Sequence, residues 1–161
     1  MTKLEIALMI AEQAHKNQTY GLFPYMYHIK NVLKIAQKNN VPEFVLIACV
    51  LHDVIENSDV SYNDISKIFG EFIANIVYCV TDELGRNRKE RKIKTLPKIA
   101  SNEYAIFVKL CDRIANVEHS KMMNDSMFKK YKQEYADFKT SLYTHNVDHV
   151  SCWETLDELL G

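Results

Sequence analysis

No stretch of this chain alternates apolar and polar residues long enough to compete as a strand, and none has the composition of a linker. Its four glycines and three prolines fall singly among 161 residues. No repeat or low-complexity segment divides it, so one domain spanning residues 1–161 is expected, long enough to bury a core of its own. No apolar run approaches the ~20 residues of a membrane span, and the first residues lack the basic-then-apolar pattern of a signal peptide. Both absences predict a cytoplasmic protein with no membrane partner. Charge of neither sign dominates: a net charge of -1 and a pI near 6.6 exclude a general affinity for nucleic acid or anionic lipid. Any basic site must therefore be local. Cys49, Cys79, Cys111 and Cys152 are too dispersed for a zinc knuckle or a disulfide framework, and three of them sit in apolar runs, as buried reduced thiols do.

What the chain does have is helical periodicity from end to end. Thr2-Lys-Leu-Glu5 is a capping box, and apolar residues recur at helical spacing from Leu4 until about Asn17. Gly21 and Pro24 break the pattern between Gln18 and Tyr25. The aromatics there, Tyr20, Phe23, Tyr25 and Tyr27, either pack locally or form a platform for a planar ligand. A second helix opens at His28 and stops at Asn39-Asn40; a third begins in the first turn after Pro42. Ser61 can cap a short helix ending at Gly70, and a fifth helix covers about Glu71 to Thr81. Arg86 to Lys92 is the only dense basic cluster. Arg88, Arg91 and Lys92 share one side of a helix there, either as a solvated face or as a clamp on phosphates. Pro97 predicts a bend or an end near Leu96. Glu103 to about Met123 forms a long helix, Asp125 can cap another through Tyr143, and an amphipathic helix covers about Val150 to Leu160. The expected fold is all-α, a bundle of about eight or nine helices.

The chemistry concentrates where apolar runs end. Val45 to Leu51 is apolar on every side, as a buried helix is, and it leads straight into His52, Asp53, Glu56 and Asn57. On a continuous helix His52 and Glu56 are four apart, as are Asp53 and Asn57, so all four crowd one edge. The second apolar run, Tyr104 to Cys111, likewise ends in Asp112, Arg113 and Asn116. With His28 before them, His52, Asp53 and Asp112 make two imidazoles and two carboxylates. That set suits a divalent ion such as Mn²⁺, with Mg²⁺, Fe²⁺ and Zn²⁺ as alternatives. Such an ion acidifies water and polarises a phosphoryl oxygen. His15 and His119 fit surface or hydrogen-bonded positions. His145 and His149 have metal-pair spacing, but no carboxylate-bearing apolar element accompanies them.

His28, His52-Asp53 and Asp112 resemble the H…HD…D signature of HD-domain phosphohydrolases. Tyr27-His28, Leu51 to Asn57, Val80-Thr-Asp82, Arg88 to Lys92 and Val108 to Asn116 are similar, in order and spacing, to the hydrolase domain of the RelA/SpoT family, its small stand-alone members above all. The resemblance runs from about Ile6 to Tyr143. It implies a single HD-domain bundle and Mn²⁺-dependent removal of the 3′-pyrophosphate from guanosine tetra- or pentaphosphate. It also implies that His28, His52, Asp53 and Asp112 hold the metal and that Glu56 orients or activates the attacking water. By the same resemblance Asn116 contacts the sugar and Arg88 and Tyr135 contact substrate. Two positions depart from the family pattern. Asn57 stands where an Asp is usual, so either Glu56 and the metal suffice or activity is reduced. Gln18-Thr19-Tyr20 lacks the usual Arg-Lys pair, so Tyr20 would stack on the base instead. Two rival functions follow from these departures: another HD-type nucleotide phosphatase or phosphodiesterase, and a catalytically silent nucleotide-binding regulator.

Overall fold

The computed structural model describes residues Met1–Gly161 and is all-α apart from one short hairpin. Its helices are α1 (Lys3–Ala14), α2 (Met26–Gln37), α3 (Glu43–Leu51), α4 (Val54–Asn57), α5 (Tyr62–Phe69), α6 (Glu71–Val80), α7 (Arg88–Ala100), α8 (Glu103–Met122), α9 (Met127–Leu142) and α10 (Val150–Leu160). Nine of these have eight residues or more, and α4 is a single turn. A 3₁₀ turn, Val147–His149, leads into α10.

Helix starts follow their side chains. Thr2 accepts from the Glu5 N–H at 3.1 Å while Glu5 returns the bond to the Thr2 N–H at 3.0 Å. Ser61 and Asp64 repeat the arrangement at α5. Asn87 and Asn102 cap α7 and α8. Gly70 adopts φ +95°, which lets α5 turn directly into α6. The core lies along α3 and α8. Ile47 to Leu51 of α3 are all buried, and α8 buries Ala105 to Val108 and Leu110 to Ala115. Helices α2 and α6 pack against both, with α1 outside α3 and α7, α9 and α10 outside α8.

Three local expectations change. Residues Thr19–Tyr20 and Phe23–Pro24 pair as a two-residue antiparallel hairpin, β1 and β2, where no strand pattern exists; Gly21 at φ +59° makes the turn. Helix α7 does not end near Leu96 but continues past Pro97 to Ala100. Pro97 and Ile93 lie on the exposed side, so the Ile93 carbonyl that loses its partner is placed to meet water. The apolar run ending in His52 is not one helix through Asn57. Helix α3 stops at Leu51 because the Cys49 carbonyl accepts from the His52 ring at Nδ1, 2.7 Å away. The chain then kinks at Asp53 before α4.

Leu51 is fully buried at the end of α3. Leu51→Ala should destabilise the fold by about 2–5 kcal/mol, measured as the shift in a urea unfolding midpoint.

Candidate metal centre and phosphate pocket

Three elements bring the ligand-type side chains together. His28 comes from the first turns of α2, His52 and Asp53 from the kink between α3 and α4, and Asp112 from the middle of α8. Nitrogens of His28 and His52 and an Asp53 oxygen lie within 4.8 Å of one another. Asp112 Oδ1 is 2.9 Å from His28 Nε2 and 3.2 Å from His52 Nε2, and Asp53 Oδ2 is 3.0 Å from His52 Nε2. Ligands at about 2.1 Å from one octahedral ion stand about 3 Å apart when adjacent, so the spacing fits a shared divalent cation.

The bonding pattern supports that fit. His52 Nε2 is buried and has no directed hydrogen bond, although two carboxylate oxygens lie within 3.2 Å. Its other nitrogen is fixed on the Cys49 carbonyl, leaving Nε2 as the outward-facing atom. Burial by itself would lower the His52 pKa, but Asp53 and Asp112 hold it well above the usual histidine range. The two carboxylates thus outweigh burial in setting the proton affinity of His52. Around it stand groups that fix the ligands: Tyr25 donates to Asp53 Oδ2 at 2.6 Å, Lys109 to Asp112 Oδ2 at 3.1 Å, and Asn116 to Asp112 Oδ1 at 3.2 Å.

The cluster opens into a cavity of about 190 Å³ whose walls include Glu56, Asp82, Arg88, Lys92, Lys109 and Asn116. Glu56 accepts from the Asp82 N–H at 2.8 Å. Its carboxyl is raised above the ordinary range, mainly by desolvation, with Asp53 and Asp82 adding to it. Lys92 reaches Asp82 at 3.3 Å. Repulsion from Lys109 and burial bring its ammonium down to about 8, with Asp82 opposing.

Not every candidate from the sequence arrives here. Arg88 lines the cavity but is held by a two-pronged pair to Glu134, at 2.8 and 2.9 Å. Arg91 lies against the backbone at Gly85, outside the cavity. Tyr135 donates to Asp157 on the side of α10. Asn57 is exposed and lines a separate cavity against α1, because the kink at Asp53 turns its side chain off the edge that Glu56 occupies. The Tyr20 ring stacks on His28 at 4.6 Å and packs on His119 at 4.7 Å, and its hydroxyl donates to Asn116 Oδ1 at 2.6 Å. It is therefore engaged with the protein rather than open to a base. The sequence placed Tyr25 only in a possible aromatic platform, and Asp82 and Lys109 only within stretches that resemble the family, with no individual role at the cluster. Lys109 also carried a local signal, one helical turn before Asp112.

The remaining histidines have local partners. His15 is buried and bonds Gln18 at 2.7 Å, and His149 is buried 3.1 Å from the Glu103 carbonyl. His145 is exposed beside Tyr143, so the His145–His149 pair does not converge. All four cysteines are unpaired.

Residues 7–144 match the model of the HD domain. The chain belongs to the HD-domain family. This HD domain is 35% identical over 97 residues to the guanosine-3′,5′-bis(diphosphate) 3′-pyrophosphohydrolase of Drosophila melanogaster, covering 58% of this chain and 54% of that protein. It is 32% identical over 123 residues to the bifunctional (p)ppGpp synthase/hydrolase SpoT of Escherichia coli, covering 71% of this chain and 18% of that one. The match thus spans about half of the fly protein and about a fifth of the bacterial one. Among solved structures, a metazoan SpoT ortholog described as hydrolysing ppGpp superposes with a TM-score of 0.82 at 26% identity, covering 99% of this chain and 94% of that one.

Tyr25 supplies a test of the centre that leaves its ligand atoms in place. Tyr25→Phe should weaken divalent metal binding by about 10–100-fold, measured by calorimetric titration of Mn²⁺ into the metal-free protein.

Proposed function

We propose that residues 1–161 form one working HD domain that removes the 3′-pyrophosphate from guanosine 3′,5′-bis(diphosphate) or a closely related 3′-phosphorylated nucleotide. The observation that carries this reading is the small cavity where two imidazoles and two carboxylates meet Glu56, Asp82 and several cations. The likeness to hydrolases of that compound supports it. His28, His52, Asp53 and Asp112 would hold one divalent ion, Mn²⁺ in our reading. When bound, the ion supplies Lewis-acid chemistry, acidifying water and polarising a phosphoryl oxygen.

The chain's own residues do the rest. Glu56 accepts the proton of the attacking water; its position is fixed by the Asp82 N–H and its raised basicity suits the task. Water oxygen joins the phosphorus of the 3′ chain, the ribose 3′-oxygen leaves and is protonated, and pyrophosphate is released. Lys92 and Lys109 neutralise the pyrophosphoryl oxygens, with Arg88 at the cavity edge. Asn116 contacts the sugar through its amide. No helix is long and apolar enough to cross a membrane, and we place the reaction in the cytoplasm, with a small nucleotide as the only partner the reading requires. The engagement of Tyr20 with His28 and His119 favours one second reading, an HD-type phosphohydrolase acting on a nucleotide with a different base.

Incubation with Mn²⁺ and a panel of ppGpp, ppApp, NADPH and cyclic dinucleotides should release pyrophosphate from the first. Release of inorganic phosphate alone, or from another nucleotide only, would transfer the assignment to the second reading. Glu56→Gln should abolish turnover with metal still bound. Asn57→Asp, at a side chain outside the cavity, should change kcat by less than about threefold, whereas a missing general base would restore ~10²-fold or more.

The two perturbed groups set the pH profile of kcat/KM. The Glu56 pKa is raised, so the active carboxylate is lost on acidification at a higher pH than for an ordinary glutamate. Lys92, lowered to about 8, loses its charge as pH rises through that value. A bell-shaped profile should result, and Lys92→Arg should move the alkaline limb upward. An unmoved limb would remove Lys92 from substrate binding.

A further inference from the structure

The cavity at the metal centre, about 190 Å³, is smaller than the ~300–1,000 Å³ that enclose small organic ligands. It can surround a pyrophosphoryl group but not a nucleotide. Arg88 and Lys92 also wall a second, larger cavity of about 840 Å³ that runs between α7 and α9. Two features of this groove point to an anion, and a third to an apolar group beside it. Five cationic side chains line it against two carboxylates, Glu134 and Asp137, in a protein whose net charge is -1.

The second feature is Arg113. Its side chain is 4% exposed and lines the groove, yet its guanidinium makes no hydrogen bond. The nearest carboxylate oxygen, Glu134 Oε1, is 3.6 Å away and already accepts from Arg88 at 2.9 Å. Phe138 and Tyr131 rings lie 4.3 and 5.0 Å from the charge and offset part of its desolvation. They accept none of its five N–H donors. Glu134 answers the charge at 3.6 Å, while the guanidinium N–H groups, none of them sealed from solvent without a partner, stay free to donate to an anion that enters the groove. The third feature is apolar: Ile93, Leu96, Pro97 and Phe138 border the same space, which suits a nucleoside beside the charge.

We infer that the α7–α9 groove is the other half of the substrate site. In this assignment the second phosphate chain of the nucleotide lies along the groove with Arg113 as its deepest donor, and Lys89 and Lys130 stand at the rim. The inference rests on the proposed hydrolase reading and names what that substrate must carry: a second anionic chain remote from the one cleaved. Arg88 then acts at the boundary, exchanging part of its pair with Glu134 for phosphate.

The test compares guanosine 3′,5′-bis(diphosphate) with guanosine 3′-diphosphate, which lacks the second chain, in wild type and in a Lys89→Glu/Lys130→Glu variant. Both positions are exposed, and the melting temperature checks that the fold is kept. Wild type should prefer the bis(diphosphate) in kcat/KM by tenfold or more, and the variant should lose most of that preference. Equal preference in both proteins, or a loss shared equally by the two substrates, would overturn the inference. Binding of inorganic tripolyphosphate, measured by calorimetry, gives a readout independent of turnover. It should weaken about tenfold in the variant even if neither nucleotide is hydrolysed, which would instead count against the hydrolase reading. Unchanged tripolyphosphate affinity would remove the groove as an anion site.

Discussion

Two carboxylates and two imidazoles, three of the four buried, gathered at separations of 2.9–3.9 Å are the constraint around which this domain is built. Such a cluster cannot be desolvated without strict mutual placement, and the placement comes from three elements. Helices α2 and α8 and the α3–α4 kink each deliver ligand-type side chains, so the packing of α3 and α8 through the core is also what sets donor spacing. The uniformly apolar faces of those two helices follow from the same requirement. They keep water from the back of the cluster, where it would screen the charges that the front of the cluster uses.

Much of this was legible in the sequence because polar groups at the ends of long apolar runs have few places to go. The periodicity of α1, α2, α6 and α8 located the helices, and ligand-capable residue types at the ends of two buried runs located His52, Asp53 and Asp112. Other features depended on competition that periodicity does not record. The kink at His52-Asp53 arises because a side chain takes a backbone carbonyl from its own helix, and that one exchange moves Asn57 out of the cavity. Arg91 shares a helical face with Arg88 and Lys92, yet the chain at Gly85 crosses over its stem and it lies outside the cavity. Tyr135 reaches α10, where Asp157, 22 residues away, accepts from its hydroxyl.

The groove between α7 and α9 was invisible for a different reason. Its residues come from three successive helices, α7, α8 and α9, and include the basic run that, taken alone, is indistinguishable from a solvated face. Only the packing of α9 beside α7 turns part of that run toward a concave surface, and only there does the incomplete pairing of Arg113 become apparent.

The Tyr20 contacts tie the early hairpin to the chemistry of the domain. One face of that ring packs on His28, and its hydroxyl orients the amide that in turn steadies Asp112. Loops of this kind are usually the part of a fold that varies independently of its catalytic frame. Here the two are mechanically joined. A lineage that remodelled the hairpin would at once disturb His28 and Asp112, and compensating changes at His119 and Asn116 would have to accompany it. Diversification of substrate choice at this edge is therefore expected to proceed by coordinated replacements rather than by single ones.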